Sequence, residues 1–182
     1  MKKLYIIKRS KMHGKGLFAK CDIEEGTKVV QYRGKKITKS QSDKIAEKQI
    51  NKASKKISLG QVYIFTLNKK HDIDGNYSYN TARLINHSCY PNCETDIVKG
   101  KIWIISTKKI KKGEEITYDY GFEFDKDDYE EHICKCGSKN CIGYIIISSS
   151  WKKLAKYLKK SGKTREAKRV IRGLIHSEFT DI

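Results

Sequence analysis

Short apolar and β-branched runs bounded by turn residues fill most of the chain up to residue 120, and this pattern is typical of short β-strands. Residues 4–34 are predicted to form strands around a glycine-containing turn at residues 13–16. The clearest strand runs are Leu17–Ala19, Val29–Tyr32, Gln61–Leu67, Ile102–Thr107 and Ile116–Tyr118. Residues 38–56 are polar and lysine-rich, with Ile45, Ala46 and Ile50 at helical spacing, and predict one short inserted surface helix.

The pattern changes towards the end of the chain. Apolar residues recur there at positions i, i+3, i+4 and i+7: Trp151, Leu154, Ala155 and Leu158. Ser161-Gly162 interrupts this helix, and Thr164 is predicted to cap a second one. The second helix carries Val170, Ile171, Leu174 and Ile175. The fold class predicted is therefore mostly β, with a basic C-terminal helical hairpin.

The length of 182 residues and the apolar fraction of 38% suit one domain with a single modest core and a small appendage. No apolar run approaches the roughly 20 residues that a membrane helix needs, and the apolar stretch after Lys3 is too short for a conventional export signal. We therefore expect no membrane partner. The location expected is the cytoplasm of a bacterial source, or a host nucleus if the protein is a secreted effector or a viral protein.

Charge is unevenly distributed along the chain. The net charge of +18 indicates either a polyanionic partner such as nucleic acid or a surface simply enriched in lysine. Residues 148–182 hold ten basic and three acidic residues, a net +7, whereas residues 114–131 hold nine acidic residues and one lysine, a net −8. The acidic stretch is interpreted either as the environment of a cationic substrate or as a solvated loop.

Four of the six cysteines have the spacing of metal ligands. Cys134, Cys136 and Cys141 form a CxC-x4-C pattern, and Cys89 is available as a fourth thiolate for tetrahedral zinc. The alternative is four free thiols. Cys21 and Cys93 are left over and are predicted to pack as small buried hydrophobes.

Two further runs concentrate polar chemistry. Residues 83–92 read RLINHSCYPN, and residues 114–120 read EEITYDY. Together with the CxC-x4-C run, they resemble the SET-domain protein lysine methyltransferases that end in a zinc-binding post-SET segment, in a stand-alone bacterial or viral form. The resemblance implies several small curved sheets and a threaded pseudoknot formed by these two runs. It divides the chain into a SET domain (1–128), a post-SET segment (129–147) and a basic helical extension (148–182).

The resemblance also implies the ligands and the residues that hold them. S-adenosylmethionine is the implied cofactor, and zinc is structural, holding the post-SET segment over the active site. The implied cofactor contacts are His13, Lys15, Gly16, Tyr63, Asn86, His87 and Lys135. For His13 and Tyr63 the alternative is ordinary surface and core packing. The GxG turn at residues 14–16 is weak evidence alone, because it lacks the patterns of phosphate-binding loops.

Three tyrosines are the implied catalytic residues. Tyr120 ends the ExTxxY run and is expected to align the sulfonium methyl with the attacking amine, a reaction that depends mainly on proximity and a neutral nucleophile. Tyr32 is expected to line the lysine channel. Tyr118, at a position where the family has Phe or Tyr, is expected to favour mono- or dimethylation over trimethylation.

The leading interpretation is S-adenosylmethionine-dependent methylation of lysines in a basic protein, with a histone tail as the expected substrate. Three alternatives stay open: a ribosomal or DNA-packaging protein as substrate, self-methylation, and a non-catalytic module that binds zinc and nucleic acid. A small-molecule methyltransferase is disfavoured because the alternating α/β pattern is lacking. The basic tail is interpreted as a contact for nucleic acid or a nucleosome, as a site of self-association, or as a cap on the domain.

Overall fold

The computed structural model describes the backbone of residues 3–53 and 63–178, and the side chains of residues 3–48 and 63–176. Residues 54–56 of the predicted helix and 61–62 of a predicted strand lie outside the described residues. No helix among the described residues is both long enough and apolar enough to cross a bilayer.

Within the described residues, ten short strands form three small sheets. The strands are β1 (Tyr5–Arg9), β2 (Lys15–Ala19), β3 (Lys28–Tyr32), β4 (Lys35–Thr38), β5 (Ile64–Thr66), β6 (His71–Asp74), β7 (Asn86–His87), β8 (Cys93–Val98), β9 (Lys101–Ser106) and β10 (Glu115–Tyr118). Their orders are β1-β2-β10-β7, β3-β9-β8 and β4-β6-β5. The predicted mostly β fold of small sheets is confirmed.

The four-stranded sheet contains an unusual join. β2 pairs antiparallel with both β1 and β10, with Leu17 opposite Ile116, and both side chains are fully buried. β10 also pairs in parallel with β7, which places Asn86 opposite Thr117 and His87 opposite Tyr118. The two runs predicted to meet at the pseudoknot therefore lie side by side.

Strand β8 was not predicted, and its position explains why. It lies at the edge of its sheet and pairs only with β9. Cys93 is its one buried residue, so the strand is mostly polar and lacks a clear apolar face. Strands β4, β6 and β7 were also missed, because they are short and mostly polar, so no apolar run marks them.

The described part of the chain also holds three α-helices: α1 (Lys39–Ala53), α2 (Trp151–Lys160) and α3 (Thr164–Glu178). All four apolar positions predicted for α2 are buried, and the predicted hairpin is confirmed. The amide of Ala167 donates to the carbonyl of Lys163, so the cap position of α3 is Lys163. The prediction that Thr164 caps this helix was therefore wrong by one residue.

Two hydrophobic cores lie side by side. The first packs the three sheets around Leu17, Ile104 and Ile116. The second joins the helical hairpin to the segment before it, and its buried members include Cys89, Cys134, Cys141, Trp151, Leu154, Leu158 and Val170. The hairpin is thus an integral part of the domain and covers the four-cysteine region.

Specific contacts fix the helical hairpin in place. The indole of Trp151 donates to the carbonyl of Ile146 at 2.8 Å, and the hydroxyl of Tyr90 donates to the carbonyl of Gly173 at 2.8 Å. Gly173 is buried where an added Cβ would lie 2.5 Å from Ile142, so α3 approaches the post-SET segment closely at this point. The C-terminal extension therefore has a defined orientation relative to the cysteines.

The two remaining cysteines differ in environment. Cys93 begins β8 and is 1% exposed, which confirms the prediction that it packs in the core. Cys21 is exposed, because it lies in the turn that follows β2. The prediction that Cys21 is buried was wrong.

Candidate functional site

Asn86 occupies the centre of the join between β7 and β10. Its side-chain amide donates to Glu115 Oε1 at 2.7 Å and to the carbonyls of His13 and Lys15 at 3.3 and 3.4 Å. Glu115 also accepts a hydrogen bond from the hydroxyl of Ser10 at 2.9 Å. The buried side-chain amide of Asn86 therefore links the turn before β2 to strands β7 and β10.

Gly16 is required by the same close packing. A Cβ at this position would lie 2.2 Å from Glu115 Oε1 and 3.2 Å from Asn86 Nδ2. A side chain there would displace the Glu115 carboxylate from its hydrogen bond with Asn86. Gly16 thus brings the backbone of β2 against the polar centre of the site.

His87 and Tyr120 form the next layer. The amide of Tyr120 donates to His87 Nδ1 at 3.3 Å, so the imidazole is neutral and carries its proton on Nε2, 3.8 Å from Cys89 Sγ. Burial lowers the pKa of His87 despite the carboxylate of Asp119 at 3.6 Å, in agreement with a neutral ring. His87 therefore connects Tyr120 to the cysteine region.

A cavity of about 170 Å³ opens beside these residues. It is lined by Met12, His13, Asn86, His87, Tyr120, Ile133, Cys134, Lys135 and Ile145. Residues from the turn before β2, from the β7–β10 join and from the post-SET segment thus surround one space. Five of the ten residues predicted for cofactor contact or catalysis meet there: His13, Asn86, His87, Tyr120 and Lys135.

A row of aromatic rings leads away from the cavity. Successive ring centroids are 5.2 Å apart between Tyr120 and Tyr118, 6.4 Å between Tyr118 and Phe65, and 5.3 Å between Phe65 and Tyr32. The hydroxyl of Tyr120 donates to the carbonyl of Ile85 at 3.0 Å. All three tyrosines predicted to be catalytic therefore belong to one continuous aromatic row.

These phenols stay protonated at neutral pH. Burial raises the pKa of Tyr120 to about 12, and burial likewise raises the pKa of Tyr118 and of Tyr32 well above the ordinary value. Each hydroxyl can therefore donate a hydrogen bond as well as accept one. The arrangement can orient a reacting group, but these phenols are not bases at neutral pH.

The four predicted cysteine ligands converge. The Sγ atoms of Cys89, Cys134, Cys136 and Cys141 all lie within 4.8 Å of one another, and Cys89 Sγ lies 3.6 Å from that of Cys134 and 3.8 Å from that of Cys141. Four sulfurs around a tetrahedral metal at 2.3 Å would be about 3.8 Å apart. The amides of Cys136 and Gly143 donate to Cys134 Sγ and Cys141 Sγ, as expected for thiolates.

Three predicted cofactor contacts, Lys15, Gly16 and Tyr63, lie outside the cavity lining. The side chain of Lys15 is exposed, and only its carbonyl contacts Asn86. The carbonyl of Tyr63 accepts a hydrogen bond from Tyr32 at 2.9 Å, and its ring lies beneath the guanidinium of Arg83 at 5.3 Å. Tyr63 thus belongs to the aromatic side of the site.

Sequence reasoning missed several residues that shape the site. Glu115 was noted only as part of the acidic and ExTxxY runs, with no role assigned, and Phe65 only as part of a strand. Met12, Ile133 and Ile145 line the cavity as apolar side chains with no motif of their own. The first position of the ExTxxY run was the one sequence signal that pointed to Glu115. In the structure this side chain accepts a hydrogen bond from Asn86.

Comparisons with known proteins agree with this geometry. The SET domain family model matches residues 14–121. The chain is 41% identical over 140 residues to "Histone-lysine N-methyltransferase 2D" of Homo sapiens, 39% over 148 residues to "Histone-lysine N-methyltransferase set-2" of Caenorhabditis elegans, and 36% over 148 residues to "Histone-lysine N-methyltransferase, H3 lysine-4 specific" of Saccharomyces cerevisiae.

These alignments cover 73%, 79% and 79% of this chain but only 2%, 9% and 13% of the three relatives. The chain therefore spans a small fraction of the length of the curated relatives it matches. All three relatives are eukaryotic, and the expected bacterial or viral source stays a prediction. The family match covers more than half of the chain and includes β2, the β7–β10 join and Tyr120. The chain belongs to the SET domain family.

Proposed function

We propose that this chain is an S-adenosylmethionine-dependent protein-lysine N-methyltransferase that acts on histone tails. The observation that carries the proposal is the cavity that brings His13, Asn86, His87 and Lys135 together beside Tyr120. The relatives named histone-lysine N-methyltransferases support the reaction class and the substrate class. Chromatin is the corresponding site of action.

The residues around the cavity suit a zwitterionic nucleoside cofactor. Lys135 and His13 are exposed cationic or polar groups at its rim, suited to a carboxylate, whereas Ile133, Ile145 and Met12 offer apolar surface for a ring. When bound, S-adenosylmethionine supplies an electrophilic methyl group on a sulfonium. Asn86 and Gly16 would keep the β2 backbone close to it.

The tyrosine row would position the substrate. Tyr120 lies at the cavity and also packs on Tyr118, so its phenol stands between the cavity and the aromatic row. Phe65 and Tyr32 extend this row and would enclose the aliphatic part of a lysine side chain while excluding water. The hydroxyls of Tyr118 and Tyr120 would hold the amine nitrogen as a hydrogen-bond partner.

Acidic side chains beyond Tyr120 suit a cationic substrate. Asp125, Asp127 and Glu131 are exposed, and no ion pair holds them within the described residues. Other acids of the stretch have structural partners instead, since Glu115 holds Asn86 and Glu130 contacts Lys163. The exposed remainder would attract a lysine- and arginine-rich tail.

The cysteine cluster is proposed to hold structural zinc. Four protein thiolates complete a tetrahedral zinc site and leave no open position for substrate. Three of the four cysteines are buried in the second core, and Cys134 also lines the cavity. The metal would fix the post-SET segment as one wall of the cavity.

The first prediction concerns Tyr120. Tyr120→Phe should lower methylation of core histones by roughly a hundredfold or more, because the amine and the methyl donor lose alignment. Tyr90→Phe is the matched control, since it also removes one hydroxyl bonded to a backbone carbonyl, and it should remain active. Mass spectrometry of the histones reads the product, and calorimetry reads cofactor binding. A parent protein that binds no S-adenosylmethionine would overturn the proposal.

A second prediction concerns the degree of methylation. The Tyr118 ring packs against that of Tyr120, and its hydroxyl would occupy space that additional methyl groups need. Tyr118→Phe should therefore shift the product towards trimethyl-lysine, compared with the parent at equal substrate turnover by peptide mass spectrometry. A variant whose product is no more methylated than that of the parent contradicts this role.

A third prediction separates two buried thiols. Cys89→Ser should lose bound zinc and activity together, because one of four ligands is removed and the post-SET wall unfolds. Cys93→Ser makes the same chemical change in β8, outside the cluster, and should keep both. Atomic emission gives the zinc content, and near-ultraviolet circular dichroism gives the packing. Equal zinc content in the two variants would exclude Cys89 as a ligand.

The fourth prediction concerns pH. The attacking lysine must lose a proton whose pKa is near 10.4 in a free lysine. Burial raises the pKa of Tyr120 to about 12, so this phenol stays protonated between pH 7 and 9. The value of kcat/KM should rise about tenfold per pH unit between pH 7 and 9 because the neutral amine increases in that proportion. Cofactor affinity, measured over the same range, is the control. A flat rate profile would contradict this account.

A further inference from the structure

A second, larger depression lies on the other side of the cysteine cluster. It has a volume of about 600 Å³ and separates the loop at residues 138–141 from the face of α3 that turns towards it. A neighbouring hollow of about 450 Å³ continues it along α3, sharing Asn140, Lys168 and Arg172. The two together form one groove, here called the α3 groove, which the proposed methyl-transfer chemistry does not use.

The α3 groove is strongly basic. Arg165, Lys168, Arg169 and Arg172 line it from α3 at positions i, i+3, i+4 and i+7, so they form one stripe along the helix. Lys139 faces this stripe from the loop. Among the described residues, Glu166 is the one acidic side chain in the lining, and it is half-buried.

One of these cations is held in place, and the other four form no ion pair with a described carboxylate. Arg169 Nε donates to the carbonyl of Cys141 at 2.8 Å, which fixes this side chain against the loop. Lys139, Arg165, Lys168 and Arg172 are exposed, and none of them forms an ion pair with a carboxylate within residues 3–48 and 63–176. Their like charges repel one another, so an anionic partner would lower the free energy of the whole stripe.

The dimensions suit a polyanion of high linear charge density. From Arg165 to Arg172 the stripe spans about 10 Å of helix. Over that length, double-stranded DNA presents roughly six phosphate charges. Most apolar side chains of α2 and α3 pack in the second core, and Ile175 is the one exposed large apolar side chain of the described hairpin, which favours a polyanion over a lipid surface.

We propose that the α3 groove binds the phosphate backbone of double-stranded DNA, without sequence preference, next to the post-SET segment. Arg165, Lys168, Arg172 and Lys139 contact phosphates, and Arg169 fixes the groove wall. This binding is independent of methyl transfer, and it is measured without cofactor or histone. A failure of the proposed methyltransferase activity would therefore leave it untouched.

The test uses a short fluorescent DNA duplex and the full chain. The triple variant Arg165→Gln, Lys168→Gln, Arg172→Gln should bind roughly tenfold or more weakly at physiological salt than the parent. The slope of log affinity against log salt concentration should fall by roughly two to three, as expected for lost phosphate contacts. Two unrelated duplex sequences should give equal affinities.

The matched control removes the same charge elsewhere. Lys156→Gln, Lys159→Gln, Lys160→Gln changes three exposed lysines of α2, outside the α3 groove, and should retain most of the affinity and slope. Equal losses in the two triple variants would overturn the proposal, because binding would then follow net charge alone. Circular dichroism and zinc content verify that both variants fold.

A measurement on the parent protein makes the test independent of any variant. Bound duplex should protect Lys139 and Lys168 from acetylation several-fold more than Lys156 and Lys159, as read by peptide mass spectrometry. Uniform protection would overturn the proposal. So would parent affinity for duplex no greater than for single-stranded RNA of equal length or for vesicles containing anionic lipid.

Discussion

The parallel pairing of β7 with β10 is the constraint on which the site depends. Two residue pairs, Asn86 with Thr117 and His87 with Tyr118, join segments 31 residues apart in sequence. Asn92 reinforces the join, because its amide group donates to the carbonyl of Glu115 and accepts from the amide of Thr117, both at 2.9 Å. Every polar side chain that reaches the cavity from the sheet lies within two residues of this join. The geometry of the join therefore determines how accurately these side chains are positioned in the cavity.

The second core makes the post-SET segment part of a rigid unit. Helices α2 and α3 pack against Cys89, Cys134 and Cys141, and Trp151 and Tyr90 bond to backbone carbonyls on either side. Residues 129–147 are thereby held in place by two sets of contacts, those within the thiolate cluster and those with the helical hairpin. The wall of the cavity thus gains part of its order from the helical hairpin, which does not line the cavity.

Sequence predicted the parts of the site that depend on local spacing. Each of three signals lies within a few residues: the CxC-x4-C run, the NHSC run and the helical spacing after Trp151. In the structure the four cysteines of the first two runs converge, and the apolar positions of α2 are buried. The contacts of Glu115 and Phe65 were not predictable in this way, because they arise from strands distant in sequence. Cys21 and Thr164 failed for a related reason: a single residue at a turn or a helix end carries no periodicity that fixes its environment.

Cys134 faces in two directions, towards the other three thiols and into the cavity. A metal in the cluster and a molecule in the cavity would therefore share one wall, through which their binding free energies would be coupled. Such coupling is reciprocal: if metal strengthens cofactor binding by some factor, cofactor must strengthen metal binding by the same factor. Saturation with cofactor should then slow the loss of zinc to a chelator, and equal chelation rates with and without cofactor would show that the shared wall transmits nothing.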